Sequence, residues 1–304
     1  MSERKNVFLV EYIHPEARKL LAENVNIIDD WEKLPLADAL INRNQVKVTK
    51  EFLDRAVNLK IIGVHGTGMD AVNLEETKKR NIEVFSTPGL NAKSVAELNV
   101  ALAMALSRNI CFAANAIKSG KFMEHAKEVY VGNEISGKII GFIGMGNISR
   151  QTADMLRLGF GARIIGWSRS LTESKAAAMN ITCCCSKEEV LRQADIIIMG
   201  LALNSDTYHI IGYDEFKICK PTAIFINAAR GALVNEQALY QALKEGLIKK
   251  AACDVFEKEP VSIENPLVQL DNFIAVPHLG GNTDEALHRV GMAVVEGVLQ
   301  RLGI

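Results

Sequence analysis

The chain has 304 residues, of which 48% are hydrophobic and 23% charged, and its formal net charge at pH 7 is −1. This length and composition predict a globular protein with two domains of ordinary size, each with its own core. The balanced charge provides no field that would attract nucleic acid or an anionic membrane, so we expect neither as a partner.

The sequence carries no pattern typical of export, membrane insertion or metal binding. The N-terminus, MSERKNVFLVEY, lacks the apolar core of a signal peptide, and no uninterrupted apolar run reaches the roughly 18 residues that span a bilayer. The six cysteines, three of them consecutive at 183–185, lack the C-x-x-C spacing of a zinc site. We therefore expect reduced thiols, no metal and a cytoplasmic location.

Short apolar runs rich in β-branched residues alternate along the chain with amphipathic segments of helical length. The runs that predict strands are NVFLVEY, LKIIGV, IEVFST, KIIGFIG, ARIIGW, ADIIIMG, AIFINAA, AACDVF and FIAVPH. Strands that alternate with helices form right-handed βαβ units and parallel sheets covered on both faces. These strands are too many for one compact sheet, so the sequence predicts an α/β protein with two Rossmann-like, doubly wound domains and an interdomain cleft.

Residues 94–119, SVAELNVALAMALSRNICFAANAIKS, have the pattern of one long helix. Ser94 followed three residues later by Glu97 is the signature of a capping box at its start. The apolar residues are spread over more than one face, which predicts burial on several sides. Such a helix could cross between the domains or join a dimer interface.

Residues 138–156, KIIGFIGMGNISRQTADML, begin as a buried strand and continue into a glycine turn similar to the dinucleotide fingerprint G-x-G-x-x-G. The first glycine makes the turn, the second lets a pyrophosphate approach the helix N-terminus, and the third relieves crowding between helix and strand. Gly144 and Gly146 supply the first two, whereas Ser149 replaces the third at a modest expected cost. Taken singly, the turn is equally consistent with an ordinary strand–turn–helix unit.

The next predicted strand, ARIIGW, ends where an NAD site would place an acidic residue against the adenosine ribose. Ser168 and Arg169 stand there instead. They remove the repulsion that a carboxylate would exert on a 2′-phosphate, and the guanidinium can bind that phosphate. The sequence therefore favours NADP over NAD, although Ser168 can still bond a ribose hydroxyl and Arg169 can stack on adenine instead.

Three polar side chains follow later predicted strands, where open α/β sheets bind ligands. They are Arg230 in FINAARGALVNE, Glu259 in CDVFEKEP and His278 in AVPHLGGNT. Each by itself is better explained as a solvated charge, a loop residue or a structural histidine. Together they match the reduction of a 2-oxo acid, which needs a cation for the carboxylate, an imidazole that delivers a proton, and a carboxylate that keeps the imidazole protonated.

The order of its motifs makes the chain similar to the D-isomer-specific 2-hydroxyacid dehydrogenases, a family that includes phosphoglycerate, D-lactate and glyoxylate/hydroxypyruvate enzymes. Six motifs carry the resemblance over nearly the whole chain: GTGMDAVNL, NAKSVAEL, GKIIGFIGMGNIS, NAARGALVNE, DVFEKEP and PHLGGNTDEA. The resemblance implies a dinucleotide site at the glycine turn. It also implies that Arg230 binds the substrate carboxylate and that His278 is the acid/base with Glu259 as its partner, a position that Glu257 fits less well.

The resemblance implies roles for further residues at the cofactor. They are Asn147 and Ile148 at the pyrophosphate, Ser168 and Arg169 at the ribose, Ala228 and Asp254 beside the nicotinamide, and Gly280 close to His278.

On the substrate side, the resemblance implies that the turn at residues 65–68 presents backbone N–H groups to the substrate carboxylate, with Thr67 and Gly68 as contacts. We expect His65 in this turn to be an incidental loop residue. The remaining histidines match no motif and are assigned no role: His14, His125, His209 and His288.

The stretch INRNQVKVT occupies the place of an R-S-x-T-like stretch that helps phosphoglycerate enzymes of this family to hold the phosphate. Arg43 is kept, but Asn44 and Val46 replace the small hydroxyl residues. A distal phosphate, carboxylate or sulfonate on the substrate is therefore compatible with the sequence without being required. Because the chain stops at Ile304 directly after a predicted helix, we expect no appended regulatory domain.

The fingerprint strand begins only near residue 138, which predicts a discontinuous substrate domain of residues 1–95 plus 283–304 with a dinucleotide-binding domain, residues 96–282, inserted between. We interpret the chain as an NAD(P)-dependent D-2-hydroxyacid dehydrogenase that acts on a small 2-hydroxy or 2-oxo acid and forms a homodimer. Two alternatives are a catalytically inactive dinucleotide-binding sensor, which predicts erosion of the catalytic residues, and a formate dehydrogenase-type enzyme, whose chemistry needs no proton transfer to an alcohol oxygen.

Overall fold

The protein divides into two compact units in a computed structural model that describes residues 4–122 and 127–304. One unit combines Met1–Asn91 with Gly281–Ile304, and the other is Ala92–Gly280. The N-terminal part of the chain and its C-terminal helix therefore share one unit, and the second unit is a continuous stretch between them.

The first unit contains a five-stranded parallel sheet of order β2-β1-β3-β4-β5. Its strands are β1 (Asn6–Phe8), β2 (Asn26–Ile28), β3 (Ala39–Asn42), β4 (Ile61–Val64) and β5 (Glu83–Ser86). Its α-helices are α1 (Pro15–Asn24), α2 (Lys50–Arg55), α3 (Leu74–Lys79) and the C-terminal α11 (Asp284–Leu302).

The sheet of the first unit is covered on both faces, and alternate side chains along its strands point into two different hydrophobic cores. Leu40 and Ile62 point into a core that includes Phe52 of α2, whereas Ala39 and Ile61 point into a core shared with α1 and α11. Because successive side chains of a strand point to opposite faces, apolar residues at every position are what a sheet buried on both sides requires.

The second unit contains a seven-stranded parallel sheet of order β12-β11-β10-β9-β6-β7-β8. Its strands are β6 (Ile139–Ile143), β7 (Arg163–Trp167), β8 (Thr182–Cys183), β9 (Ile196–Met199), β10 (Ile224–Asn227), β11 (Lys250–Cys253) and β12 (Phe273–Ala275). Its α-helices are α4 (Ala92–Ser107), α5 (Ile110–Lys118), α6 (Asn147–Phe160), α7 (Glu173–Ala178), α8 (Lys187–Gln193), α9 (Tyr213–Lys217) and α10 (Glu236–Glu245). The strand order reverses between β6 and β9, and such switch points are where doubly wound sheets bind ligands.

The predicted fold class, two parallel-sheet α/β domains, is confirmed, and each of the nine predicted strand runs contains a strand. Three further strands, β2, β3 and β8, were not predicted. They have two to four residues.

The prediction of one helix over residues 94–119 is wrong. The helix α4 begins at Ala92 and is separated from α5 by a bend of 64°. At the break, Asn109 has left-handed backbone (φ +56°), and its amide donates to the carbonyls of Tyr130 and Val131. Asparagine adopts this conformation more readily than most residues, because its short polar side chain can hydrogen-bond locally.

The predicted capping box at Ser94 is also wrong. Ser94 lies inside α4, where its hydroxyl donates to the carbonyl of Gly280 at 2.7 Å instead of capping a helix end. Among the described residues, no single helix is long and apolar enough to cross a membrane, and α4 and α5 reach that length and composition only as a bent pair.

Candidate active site

The candidate residues of the second unit follow four of its strands. Gly144 comes directly after β6, Arg230 three residues after β10, Asp254 directly after β11 and His278 three residues after β12. The carboxyl ends of parallel strands lie along one edge of a sheet. The fold thus brings residues from distant parts of the sequence to this edge.

A histidine and a carboxylate are in direct contact at this edge. His278 Nδ1 lies 2.7 Å from Glu259 Oε2, and Glu259 Oε1 accepts a hydrogen bond from the backbone N–H of Phe256. An ionised carboxylate only accepts hydrogen bonds, so Nδ1 must be the donor in this contact and carry a proton. This leaves Nε2 for a ligand. The His278 side chain is 52% exposed, which leaves the ring accessible.

The backbone at His278 is left-handed, with φ +56°, a costly conformation for a residue other than glycine. It is held by Asp254, a side chain that is almost fully buried. The backbone N–H of His278 donates to the Asp254 carbonyl at 2.9 Å, and the N–H groups of Leu279 and Gly280 donate to its carboxylate. Asp254 therefore fixes the segment that carries the imidazole.

The surroundings of His278 favour its protonated form. The hydrogen bond with Glu259 raises the pKa of His278 above its usual 6.5, although burial and the positive charge of Arg230 act in the opposite direction. Burial also raises the pKa of Asp254, against the effect of the two backbone hydrogen bonds to its carboxylate.

Arg230 is carried by a segment with a fixed backbone. The Asn227 side chain bridges the segment, donating to the Arg230 carbonyl at 2.9 Å and accepting from the N–H of Ala229. A Cβ added to Gly231 would lie 2.0 Å from the Phe256 carbonyl carbon. Only glycine permits this approach, so the segments carrying Arg230 and Glu259 pack backbone to backbone.

The glycine turn after β6 has the properties that a pyrophosphate requires. Gly144 has φ +103°, and a Cβ there would lie 2.4 Å from the backbone of Gly200. Gly146 is the N-cap residue of α6, and a Cβ there would meet no atom nearer than 4.0 Å. The first turn of α6, beginning with Asn147 and Ile148, has no side-chain cap and no acidic residue. Its N–H groups can therefore bind an anion.

Gly200 accommodates the serine that replaces the third fingerprint glycine. Ser149 is buried, with 1% of its surface exposed, and a Cβ on Gly200 would lie 2.0 Å from Ser149 Oγ. This partner was not predicted from the sequence. Its only signal was the glycine that ends the run ADIIIMG.

Ser168 and Arg169 directly follow β7, and the Arg169 guanidinium has a carboxylate partner. Arg169 Nη1 lies 3.2 Å from Asp206 Oδ2, and both side chains are about 70% exposed. Asp206 was not predicted from the sequence, because no motif connects its loop, which follows β9, with the end of β7. An exposed pair of this kind contributes about 1 kcal/mol or less, so Arg169 can exchange this partner for another anion.

In the first unit, Arg43 follows β3 and is held by two other segments. Its guanidinium donates to the Tyr12 carbonyl at 2.9 Å and to Asn282 Oδ1 at 2.8 Å, and its backbone N–H donates to Glu11 Oε2. Burial lowers the pKa of Arg43 and raises the pKa of Glu11. Glu11 and Asn282 were not predicted, because they lie 32 and 239 residues from Arg43 in the sequence.

The turn that contains Thr67 and Gly68 follows β4, and Thr67 Oγ1 accepts from the N–H of Gly89 at 3.3 Å. Next to it, burial and then the charge of Arg43 lower the pKa of His65 from 6.5 to about 4, so the imidazole is neutral at pH 7. Within the described chain, His65 Nε2 is buried without a hydrogen-bond partner.

Of the histidines without a predicted role, His14 and His288 pack edge to face, with ring centroids 4.9 Å apart. His209 lies beside Glu257, and His125 is outside the described residues. Within residues 4–122 and 127–304, no group of three or more His, Cys, Asp or Glu side chains could hold a metal ion.

Comparisons with known proteins agree with this architecture. The profile described as D-isomer specific 2-hydroxyacid dehydrogenase, NAD binding domain, matches residues 100–280. Over 294 residues the chain is 34% identical to the hydroxypyruvate reductase of Thermotoga maritima, covering 96% of this chain and 94% of that protein. Over 300 residues it is 37% identical to the D-3-phosphoglycerate dehydrogenase of Methanocaldococcus jannaschii, covering 96% of this chain but only 56% of that protein.

Among solved structures, that of a Thermus thermophilus protein is similar with a TM-score of 0.89 and 28% identity, covering 98% of this chain and 97% of that one. The matched profile spans more than half of the chain, and the reductase relative is matched over nearly its full length. The chain therefore belongs to the D-isomer-specific 2-hydroxyacid dehydrogenase family.

Proposed function

We propose that the protein is an NAD(P)-dependent D-2-hydroxyacid dehydrogenase that interconverts a small 2-oxo acid and the corresponding 2-hydroxy acid. The contact of 2.7 Å between His278 Nδ1 and Glu259 Oε2 is the observation that carries the proposal. Family membership and the relatives named as a reductase and a dehydrogenase of 2-hydroxy acids support it.

His278 is the proposed acid/base. Glu259 holds the proton on Nδ1, so Nε2 is the atom that faces the substrate oxygen. In reduction the protonated imidazole donates its Nε2 proton to the carbonyl oxygen, and in oxidation the neutral Nε2 accepts the hydroxyl proton. The raised pKa of His278 keeps a donor available near neutral pH.

Arg230 is the proposed ligand of the substrate carboxylate. A guanidinium binds a carboxylate through two parallel hydrogen bonds, which fixes the orientation of the acid as well as its charge. The backbone packing at Gly231 supports this role, because it holds Arg230 close to the loop of Glu259. In the first unit, Arg43, Thr67 and Gly68 are the proposed additional contacts of the substrate.

The proposed cofactor site uses the carboxyl edge of the second sheet. When bound, the nicotinamide dinucleotide supplies or accepts the hydride. The residues that would hold it are Gly144, Gly146, Asn147 and Ile148 at the pyrophosphate, Ser168 and Arg169 at the ribose, and Ala228, Asp254 and Gly280 towards the nicotinamide. The absence of a carboxylate at 168 and 169 supports NADP as the preferred form, whereas the Asp206 partner of Arg169 reduces that preference.

We also propose that the protein is a homodimer. The helix α5 buries none of its residues although most of them are apolar, and large apolar side chains of this region are exposed: Ile110, Ile117, Phe122, Val129 and Val131. A contiguous exposed apolar patch is typical of a protein–protein interface. Sedimentation equilibrium should give twice the mass of the chain, and a monomer at micromolar concentration would contradict the proposal.

A panel of 2-oxo acids assayed with NADH and with NADPH tests the proposed activity. The panel should include glyoxylate, hydroxypyruvate, pyruvate and 3-phosphohydroxypyruvate, with chiral analysis of every product except glycolate, which is achiral. We expect reduction to the D isomer with equal amounts of cofactor oxidised and product formed. Arg230→Lys should reduce turnover strongly, because a point charge cannot replace the bidentate contact. Cofactor binding without turnover of any 2-oxo acid would instead indicate a dinucleotide sensor.

A further inference from the structure

A second imidazole–carboxylate cluster lies next to the loop that carries Glu259. It is formed by Glu236 at the start of α10, Glu257, and His209 in the loop after β9. The backbone N–H of Glu236 donates to Glu257 Oε1 at 3.1 Å, and the backbone N–H of Glu257 donates to Glu236 Oε1 at 2.5 Å. Each carboxylate thus accepts a hydrogen bond from the backbone N–H of the other residue.

These reciprocal bonds join two chain segments at a helix N-terminus. Glu236 is the first residue of α10, and its N–H is one of the backbone donors that a helix leaves unpaired. The Glu257 carboxylate satisfies it and also lies at the positive end of the helix. Asn265 Nδ2 donates to Glu236 Oε2 at 2.8 Å, which orients the second carboxylate.

His209 places an imidazole beside this pair of carboxylates. Its Nε2 lies 3.1 Å from Glu257 Oε1, at ion-pair distance but outside hydrogen-bond geometry. The backbone of His209 donates to the Ala232 carbonyl at 2.8 Å, and its ring stacks on Tyr208.

The cluster contacts the segments that carry Glu259 and Arg230, and Glu257 lies two residues before Glu259 in the sequence. Phe256, which precedes Glu257, donates its backbone N–H to Glu259 Oε1. The other oxygen of Glu259, Oε2, contacts His278. Gly231, which follows Arg230, packs against the backbone of Phe256 and Glu257. A shift of Glu257 would therefore move the Glu259 carboxylate relative to the imidazole.

We infer that Glu257, Glu236 and His209 are positioning residues, which hold the Glu259 carboxylate in contact with His278 and keep the Arg230 segment beside it. None of the three has a proposed contact with substrate or cofactor. The inference rests on the proposed role of His278. A positioning role of the cluster can be distinguished from a general contribution to stability. Loss of the cluster should change the protonation of His278 while the fold is retained.

The test is the titration of His278 by NMR together with steady-state kinetics in Glu257→Ala, Glu257→Gln and Lys258→Ala. In Glu257→Ala we expect the pKa of His278 to fall towards its ordinary value and kcat to fall by between about tenfold and 100-fold, because small displacements of catalytic groups cost this much. The KM for the cofactor should stay within about twofold of native. Glu257→Gln keeps an oxygen that can accept from Glu236 and should retain kcat within about threefold.

Lys258→Ala is the matched control, because Lys258 is exposed and lies between Glu257 and Glu259 in the sequence; it should behave as the native protein. If Glu257→Ala does not fold, His209→Gln should shift the pKa of His278 in the same direction. An unchanged His278 titration in a folded Glu257→Ala or His209→Gln protein would overturn the inference. The titration needs no substrate, so this result is independent of whether any 2-oxo acid is turned over.

Discussion

Substitution of Gly200 by alanine tests how the glycine turn tolerates Ser149. The new Cβ would lie 2.0 Å from Ser149 Oγ and 2.7 Å from the Gly144 carbonyl oxygen, whereas ordinary contact begins at 3.4 Å. Ser149 is buried and the Gly144 oxygen belongs to the backbone, so neither neighbour can move freely. Overpacking of this kind costs about 1–3 kcal/mol, and we expect the upper end of this range.

A loss of about 3 kcal/mol corresponds to a fall in Tm of roughly 6–12 °C for a domain of this size. Adding Ser149→Gly to Gly200→Ala removes the shorter of the two clashes and should recover at least half of the loss. Differential scanning calorimetry of the native protein, both single variants and the double variant measures this coupling.

Gly146→Ala is the matched control, since a Cβ there meets no atom nearer than 4.0 Å. Its Tm should equal that of the native protein, but its affinity for the dinucleotide should fall at least about tenfold, because the methyl group would occupy the space proposed for the pyrophosphate. A Gly200→Ala protein with native Tm, or a double variant no more stable than Gly200→Ala, would refute this account of the turn.

Three further predictions follow from the charged groups. Reduction uses protonated His278, whose pKa is raised above 6.5, so kcat/KM for reduction should fall as pH rises through that pKa; a fall centred below pH 6.5 would contradict this. His65, with its pKa lowered to about 4, binds a proton more weakly when folded than unfolded. Stability measured by urea unfolding should therefore decrease by up to about 3 kcal/mol as pH falls from 6.5 towards 4, and His65→Asn should remove this slope. The native protein should use NADPH at least as well as NADH. Asp206→Asn should raise the NADPH/NADH ratio of kcat/KM by up to about fivefold, and Arg169→Ala should lower that ratio. A ratio that both substitutions leave unchanged would exclude a role for this pair.

The central strands of both sheets were predictable because parallel strands covered on both faces are nearly continuous apolar runs. Ile139–Ile143 and Ile224–Asn227 are of this kind. The two-residue strand Thr182–Cys183 has no such signal and exists by pairing with its neighbour. The break at Asn109 depends on carbonyls about 20 residues away, which a local helical pattern cannot reveal.

The positions of candidate residues just after strand ends were predictable, as at Arg230 and His278. Contacts made between loops were not predictable. Asp206 is 37 residues from Arg169 and Asn282 is 239 residues from Arg43, and nothing in the local sequence of either residue indicates its partner. Such contacts depend on which strand ends the sheet order brings together.

The measurement that tests the central claim most directly compares His278→Asn with the native protein, for turnover of its best 2-oxo acid and for cofactor affinity. The account predicts a fall in kcat of about 100-fold or more, since general acid catalysis is lost. The cofactor Kd, measured by quenching of tryptophan fluorescence, should stay within about twofold of native, because the pyrophosphate and ribose contacts proposed for residues 144–148, 168 and 169 do not involve the imidazole. Turnover close to native in His278→Asn would contradict the proposed role of the His278–Glu259 pair.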